Sequence, residues 1–494
     1  MRRREYVSLF GDRRSRRDIT GRARRPRRWP VILGIGLAVV SAWYLLAFRS
    51  DVLDVDLEGT AVPPSVLRPL ETTTTLAGNA AAEDVTCPVP GLPWTSFQAS
   101  PERAGCIEAP RIADPVILWT APIGIQGWLN NPVIDGNTVY VGSAGTTQFE
   151  SDGDDGIYAL DVLTGEQRWF FPATLDTNGV AVADDVVVAT GDEGLVWGID
   201  AATGRQVWVD DLGVAVFGNP LVVDGLVIVG DGRGEIVALD AATGERRWIQ
   251  QISGAIRGGA SSDGTIIVAA AESGEVLALD LNGTELWRRT VTESGAPGEA
   301  AQVFAAPTIA GENVVVSLVR SDVNPEPGLV SLDRVSGAVR WRATDAAGIK
   351  TEWGNVRSSP AVVGDLLVYG EPYSDSLVTV GIEDGTTRWS VRVGPLCYPH
   401  WPSPAVVSGL AIISRHDGAV YAVDLATGAA AWSVYLGSVD AAGSFPDSYE
   451  AETFCEWQPA AGYSILASPA VSESGIVIVG TLEGHLVAIG DESW

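Results

Sequence analysis

Between Asn131 and Trp494 the chain alternates short apolar runs with tight polar turns, and the pattern repeats. The stretch Glu235–Trp248, EIVALDAATGERRW, is its clearest copy. The apolar run Ile236 to Leu239 predicts a strand that ends at Asp240. The turn Ala241-Ala242-Thr243-Gly244 follows, and a second strand carries Trp248. Asp240 can accept hydrogen bonds from the turn's backbone N–H groups. Gly244 can take the left-handed conformation such a turn needs. Ala238 is small enough for a neighbouring sheet to approach. Trp248 can fill the space between two sheets, with its indole N–H reaching a polar partner.

Copies of this unit end at Trp169, Trp208, Trp287, Trp341, Trp389 and Trp432, and a worn one closes the chain at Trp494. Upstream of each lies a strand pair such as NPLVVDGLVIVG, with Asp224-Gly225 at its turn. One unit therefore holds four strands: A (221–223), B (226–229), C (236–239) and D (246–249). Eight such units of roughly 40 residues predict an all-β fold, an eight-bladed β-propeller spanning 131–494. Trp119 sits in a D-type strand with no A, B or C strand before it, and the last unit has only a truncated D. The Trp119 strand is expected to complete the eighth sheet and close the ring, for which a monomer is sufficient.

The N-terminal part has a different pattern. Residues 1–30 hold 12 Arg against 3 acidic residues and predict a basic cytoplasmic tail. Residues 31–48, VILGIGLAVVSAWYLLAF, form an uncharged run of 18, long enough for a transmembrane helix. No small-residue cleavage site follows it, so it is read as a signal anchor. The positive-inside rule then places the protein as single-pass in the plasma membrane, with the propeller extracytoplasmic. Residues 49–86 lack periodicity and predict a flexible linker, and 87–130 a lead-in that carries the ring-closing strand. Beyond residue 30, 21 basic residues face 59 acidic ones, which argues against nucleic-acid binding. The four cysteines all fall on the oxidising side of this topology. They predict two disulfides, Cys87–Cys106 in the lead-in and Cys397–Cys455 between successive inter-blade connections.

The repeat over Ala159, Asp161, Thr164, Gly165 and Trp169, and again over Ala238, Asp240, Thr243, Gly244 and Trp248, resembles the pyrroloquinoline-quinone-type propeller repeat. Relatives of this type include quinoprotein alcohol dehydrogenases and the BamB-like propeller lipoprotein of the outer-membrane assembly machinery. In both groups the resemblance implies that the repeat tryptophans dock blade to blade. Here these are Trp119, Trp169, Trp208, Trp248, Trp287, Trp341, Trp389 and Trp432. The dehydrogenases hold pyrroloquinoline quinone (PQQ) under a disulfide between adjacent cysteines, and this chain has no adjacent pair. Cys397-Tyr398-Pro399-His400 also lacks the first cysteine of a haem-attachment motif. The sequence thus favours a non-enzymatic scaffold in the cell envelope without PQQ or Ca²⁺, with a quinone-dependent oxidoreductase as the alternative.

The A–B and C–D turns are short, whereas the B–C loops and D–A connections are long and emerge on one face, where function usually resides. Aromatic and polar residues cluster there just before strand A: Trp128 and Asn130; Trp353, Asn355 and Arg357; His400 and Trp401. Asn178, Asn219 and Arg257 occupy comparable positions. Two readings stay open. These residues rim a channel-mouth site for an envelope protein, peptide or glycan, or they pack the loops and plug the channel. Glu150, Asp152 and Asp154 supply oxygen ligands but lack a full calcium-loop series and read as an acidic turn. His400, His416 and His485 offer no metal spacing.

Overall fold

The computed structural model describes residues 85–88, 93–127, 129–291, 303–318, 328–344, 358–370, 376–393, 402–415, 418–436 and 465–494. These residues form eight sheets, each built on antiparallel strands in the order A-B-C-D. Blade 3 is typical, with Leu221–Val223, Leu226–Gly230, Glu235–Asp240 and Arg246–Gln251. Strands B and C are buried almost throughout, whereas strand D of this blade has only half-buried and exposed positions, as suits the outermost strand of a ring. The ring closes as expected. Pro115–Pro122 pairs antiparallel with His485–Asp491 and becomes the outer strand of blade 8.

One irregularity recurs in all eight blades. The C–D ladder slips by one residue just before the tryptophan, as between Ala238 and Leu239 opposite Trp248. A bulge at that point bends the outer strand and re-aims the side chain. The indole then reaches the next blade. Trp208 Nε1 donates to Ala241 O at 3.0 Å, Trp169 to Ala201 O at 2.9 Å and Trp341 to Ile382 O at 2.8 Å. Trp432 crosses the closure to Ile112 O at 2.9 Å. Trp389 is buried as these four are, yet its Nε1 has no acceptor among the described residues. Trp119 and Trp248 are half-buried, where full burial was expected of Trp248.

The turn glycine has a second reason to be glycine. Gly244 has φ +73°, and a Cβ there would lie 2.7 Å from the Trp208 ring. The small residue before the turn aspartate serves its own blade rather than a neighbouring sheet. Ala238 stands opposite Trp248, and a Cβ on the equivalent Gly198 would lie 2.1 Å from Trp208.

The turn aspartates are held ionised. Asp240 Oδ1 accepts from Thr243 N at 3.0 Å and Ala242 N at 3.1 Å, while Oδ2 pairs with Arg247 at 2.6 Å. Arg247, then Thr243, holds the Asp240 carboxyl below its ordinary value of 3.8. Arg168 does the same for Asp161, and Ser336 takes Asp333 down to about 2. Each carboxyl binds its proton less readily folded than unfolded. Its contribution is complete above the unfolded value and is lost as pH falls through the folded one. Thermal unfolding midpoints should therefore drop steadily between pH 4 and pH 2. A midpoint flat across that range would show that the turns do not supply the acid sensitivity.

Cys87 and Cys106 are joined, as expected. Cys397 and Cys455 lie outside the described residues, as does 31–48. Among the described residues no helix is long and apolar enough to cross a membrane.

Candidate functional site

The inner edge of the ring is built from what precedes each strand A. Most blades place a small polar residue and a proline there: Asn131-Pro132, Asn219-Pro220, Ser359-Pro360, Ser403-Pro404 and Ser468-Pro469. Proline fixes the entry of the strand without needing a ladder partner. The residue before it reaches across to the next blade. Ser359 N donates to Ser403 Oγ at 2.8 Å, Ser403 N to Ser468 Oγ at 2.9 Å and Ser468 N to Asn131 Oδ1 at 2.8 Å. Across blades 2 to 5 the backbones themselves come together, Asn219 and Gly259 forming a parallel bridge. A Cβ on Gly179 would lie 2.5 Å from Asn219 Cα, and one on Gly258 would lie 2.1 Å from Ala306 N. The belt is serine and asparagine on one side and glycine on the other.

The lead-in enters the middle of this belt, which the sequence pattern does not foretell. Carbonyls of Trp94, Thr95, Pro101, Glu102, Ala104 and Gly105 accept from Ile134, Val182, Ser262, Ile309, Val362 and Val406, the strand-A backbones of six different blades. Cys106–Ile107 then pairs in parallel with Ala405–Val407 and makes blade 7 five-stranded. Arg103 is wholly buried. It donates to Ala260 O at 3.0 Å, Phe97 O at 2.9 Å and Pro220 O at 3.1 Å. Burial lowers its guanidinium to about 9 against the opposing pull of Glu102, so it remains a cation at neutral pH. The inner N–H groups used are all within two residues of an A–B turn. The plug therefore closes the short-turn end of the ring.

Of the residues expected at the channel mouth, Asn130 is the one described. It is buried, its Oδ1 accepts from Gly127 N at 2.9 Å and its Nδ2 donates to Thr177 O at 2.6 Å. It therefore locks blade 1 to blade 2. Trp128, Trp353, Asn355, Arg357, His400 and Trp401 lie outside the described residues. Asn178 Nδ2 is shared between Asp192 at 2.9 Å and Val216 O at 2.9 Å. Arg257 pairs with Glu272 at 2.7 Å and stacks over Phe217 at 4.1 Å. Asp152 is spent on its own turn, accepting from Thr146 N, Thr146 Oγ1 and Asp154 N. Glu150 and Asp154 are exposed in the same loop. Among the described residues no group of three or more carboxylate, histidine or cysteine side chains is placed to hold a metal ion.

The first blade's B–C loop carries groups that sequence reasoning passed over. Phe149 is 56% exposed and has φ +66°, a conformation rare for an aromatic residue. Its N–H donates to both oxygens of Asp176 at 3.0 Å. Asp176 is buried, and burial raises its carboxyl to about 7, aided by the charges of Asp192 and Asp155. Phe149 stands in the middle of the long insertion Gly145–Gly156, which was the available signal.

The family model described as outer membrane protein assembly factor BamB matches residues 153–323 and 325–491. A stretch of 117 residues is 31% identical to the tetrathionate hydrolase of Acidithiobacillus ferrooxidans, over 20% of this chain and 23% of that protein. The match thus spans under a quarter of that relative. BamB of Moraxella catarrhalis superposes with a TM-score of 0.55 at 14% identity, over 76% of this chain and 99% of that one. A europium-containing methanol dehydrogenase gives 0.58 at 15%, over 81% and 98%. At such identities these two likenesses speak to fold alone.

Proposed function

The chain belongs to the family described as outer membrane protein assembly factor BamB, and from that premise we propose that it is a non-enzymatic binding scaffold of the cell envelope. Its N-terminal apolar segment holds it at the plasma membrane, and its looped face receives an envelope protein, peptide or glycan. One observation carries this reading. At the described entries to strand A, Asn130, Asn131, Ser403 and Ser468 are engaged with each other and with backbone. A catalytic wall would instead aim such groups at a common point in the channel. Among the described residues, Gln126 Oε1 and Ser358 Oγ at these entries are buried without a partner.

With the plug at the other end, the looped face is proposed as the elaborated one, since the long connections of the sequence belong to it. Trp353 and Trp401, on its long connections, are proposed as anchors, because aromatic side chains supply much of the energy at interfaces. Crosslinking in intact cells with mass spectrometry should capture an envelope partner. Trp353→Ala and Trp401→Ala should lower that capture about tenfold or more with thermal stability unchanged. Dye-linked oxidation of alcohols or sugars by the full-length protein supplied with PQQ and Ca²⁺ would instead establish the oxidoreductase reading.

A further inference from the structure

The B–C loop of blade 1 holds an exposed aromatic residue in place by its backbone. Residues 146–154 contribute no buried side chain, so packing does not shape this tip. Hydrogen bonds do. Phe149 N–H donates to both oxygens of Asp176, and Glu150 N donates to Thr147 O at 3.2 Å, which closes the turn around Phe149. Asp152 Oδ2 gathers Thr146 N at 2.6 Å and Thr147 N at 3.1 Å. Asp152 N in turn donates to Asp155 Oδ2 at 2.8 Å. Asp155 and Asp176 are buried, one at the start of strand C in blade 1 and the other just before strand A in blade 2. The backbone so held keeps Phe149 at φ +66° and 56% exposed. Both features are unfavourable by themselves: the φ is strained for an aromatic residue, and a ring in water forgoes burial. A slack loop would relieve both by turning the residue to negative φ and laying the ring on the blade.

We propose that Phe149 is a preformed anchor of the looped face, displayed for the apolar socket of a protein partner whose socket rim is basic. The inference rests on the binding-scaffold reading and adds to it a residue and the partner's chemistry. Aromatic side chains are enriched at the centres of protein interfaces. A loop already fixed in its bound shape loses little freedom on binding, so the strain at Phe149 is repaid when the socket closes over the ring. The basic rim follows from the neighbours in the loop. Glu150 and Asp154 are exposed on either side of the turn, whereas Asp152 is taken up by the loop's own N–H groups. Lysine or arginine around the socket meets the two exposed acids with complementary charge, and an acidic partner is turned away.

Photocrosslinking in intact cells tests it, with p-benzoylphenylalanine placed at residue 149 or at residue 163 of the full-length protein. Leu163 is equally exposed, at 56%, but sits in the C–D turn of blade 1 on the opposite face. Residue 149 should give one discrete protein adduct at about ten times the yield of residue 163. Glu150→Gln combined with Asp154→Asn should lower that yield several-fold. Phe149→Gly removes the ring and relieves the positive φ. It should cut capture of the envelope partner about tenfold while the thermal midpoint holds or rises. Equal yields at 149 and 163 overturn the proposal. So does a yield indifferent to the two acids, or a Phe149→Gly variant that melts lower with capture intact. If Trp353→Ala and Trp401→Ala lower capture but residue 149 gives no adduct, this inference fails and the scaffold reading stands. If no envelope partner is captured from any position, both fail.

Discussion

A chain that begins at Ile123 will not fold cooperatively. Blade 8 would lose Pro115–Pro122 and with it every ladder bond on the outer side of His485–Asp491. Asp491 Oδ2 would lose the N–H groups of Ala113 and Asp114, which hold it at 2.6 and 3.0 Å and keep its carboxyl well below the usual range alongside Ser493. Trp432 would lose Ile112 O, and the turn at Gly165 would lose the Trp119 ring that packs on it. The same cut removes the plug and leaves six inner N–H groups and the carbonyls held by Arg103 without partners. Each buried orphan costs about 1–3 kcal/mol. Together they match or exceed the 5–15 kcal/mol or so that a typical domain has to lose. Thermal unfolding followed by near-ultraviolet circular dichroism checks this. A sharp melt with the full-length aromatic signal would show that the ring closes without its N-terminal strand.

Trp208→Ala should cost about 3–5 kcal/mol, as for other buried aromatic deletions. The ring is 7% exposed and lies between the turn glycine of the next blade and Gly198 of its own. No flexible side chain stands at either position to collapse into the space. The Ala241 carbonyl would also lose its indole donor. Trp208→Phe restores most of the volume but not the hydrogen bond and should recover all but about 1–2 kcal/mol. Trp248→Ala should cost less than Trp208→Ala, because Trp248 keeps part of its ring in solvent. Urea titrations give all three numbers. A loss below about 1 kcal/mol for Trp208→Ala would mean that the repeat tryptophans do not hold the blades together.

The blades were legible because their constraints are local and repeated. Asp240, Gly244 and Trp248 declare a turn and a docking ring within nine residues, and seven more units carry the same or a related pattern. Ring closure was legible at Trp119 because a D-type strand stood without its sheet. The Cys87–Cys106 bridge followed from proximity in sequence. The plug was not legible. Trp94–Ile107 has no period, because it contacts a different blade every residue or two, and its partners lie as much as about 300 residues away. Nothing adjacent to Arg103 announces a guanidinium satisfied by carbonyls of blades 3 and 4. The belt left a readable mark, the small polar residue before proline, but neighbouring Asn130 was singled out and Asn131 was not. Asp155, Asp176 and Asp192 meet only once two blades stand side by side.

The plug and the closing strand come first in the chain, yet they bind what comes last. Gln98 reaches Pro404 O, Ser408 reaches Ile107 O, and Pro115–Pro122 waits for His485–Asp491. During synthesis the sheets of blades 1 to 6 can form in the order they emerge, since each draws its four strands from its own forty or so residues. The segment before them has no complete partner until the chain is nearly finished. Contacts this distant in sequence slow folding, and long proteins consolidate in stages. The propeller should therefore pass through an open, ordered arc whose two ends and inner edge are bare. The slow step, ring closure and plug insertion, should appear in refolding as a late phase seen by a reporter at residue 98 but not by one in blade 3.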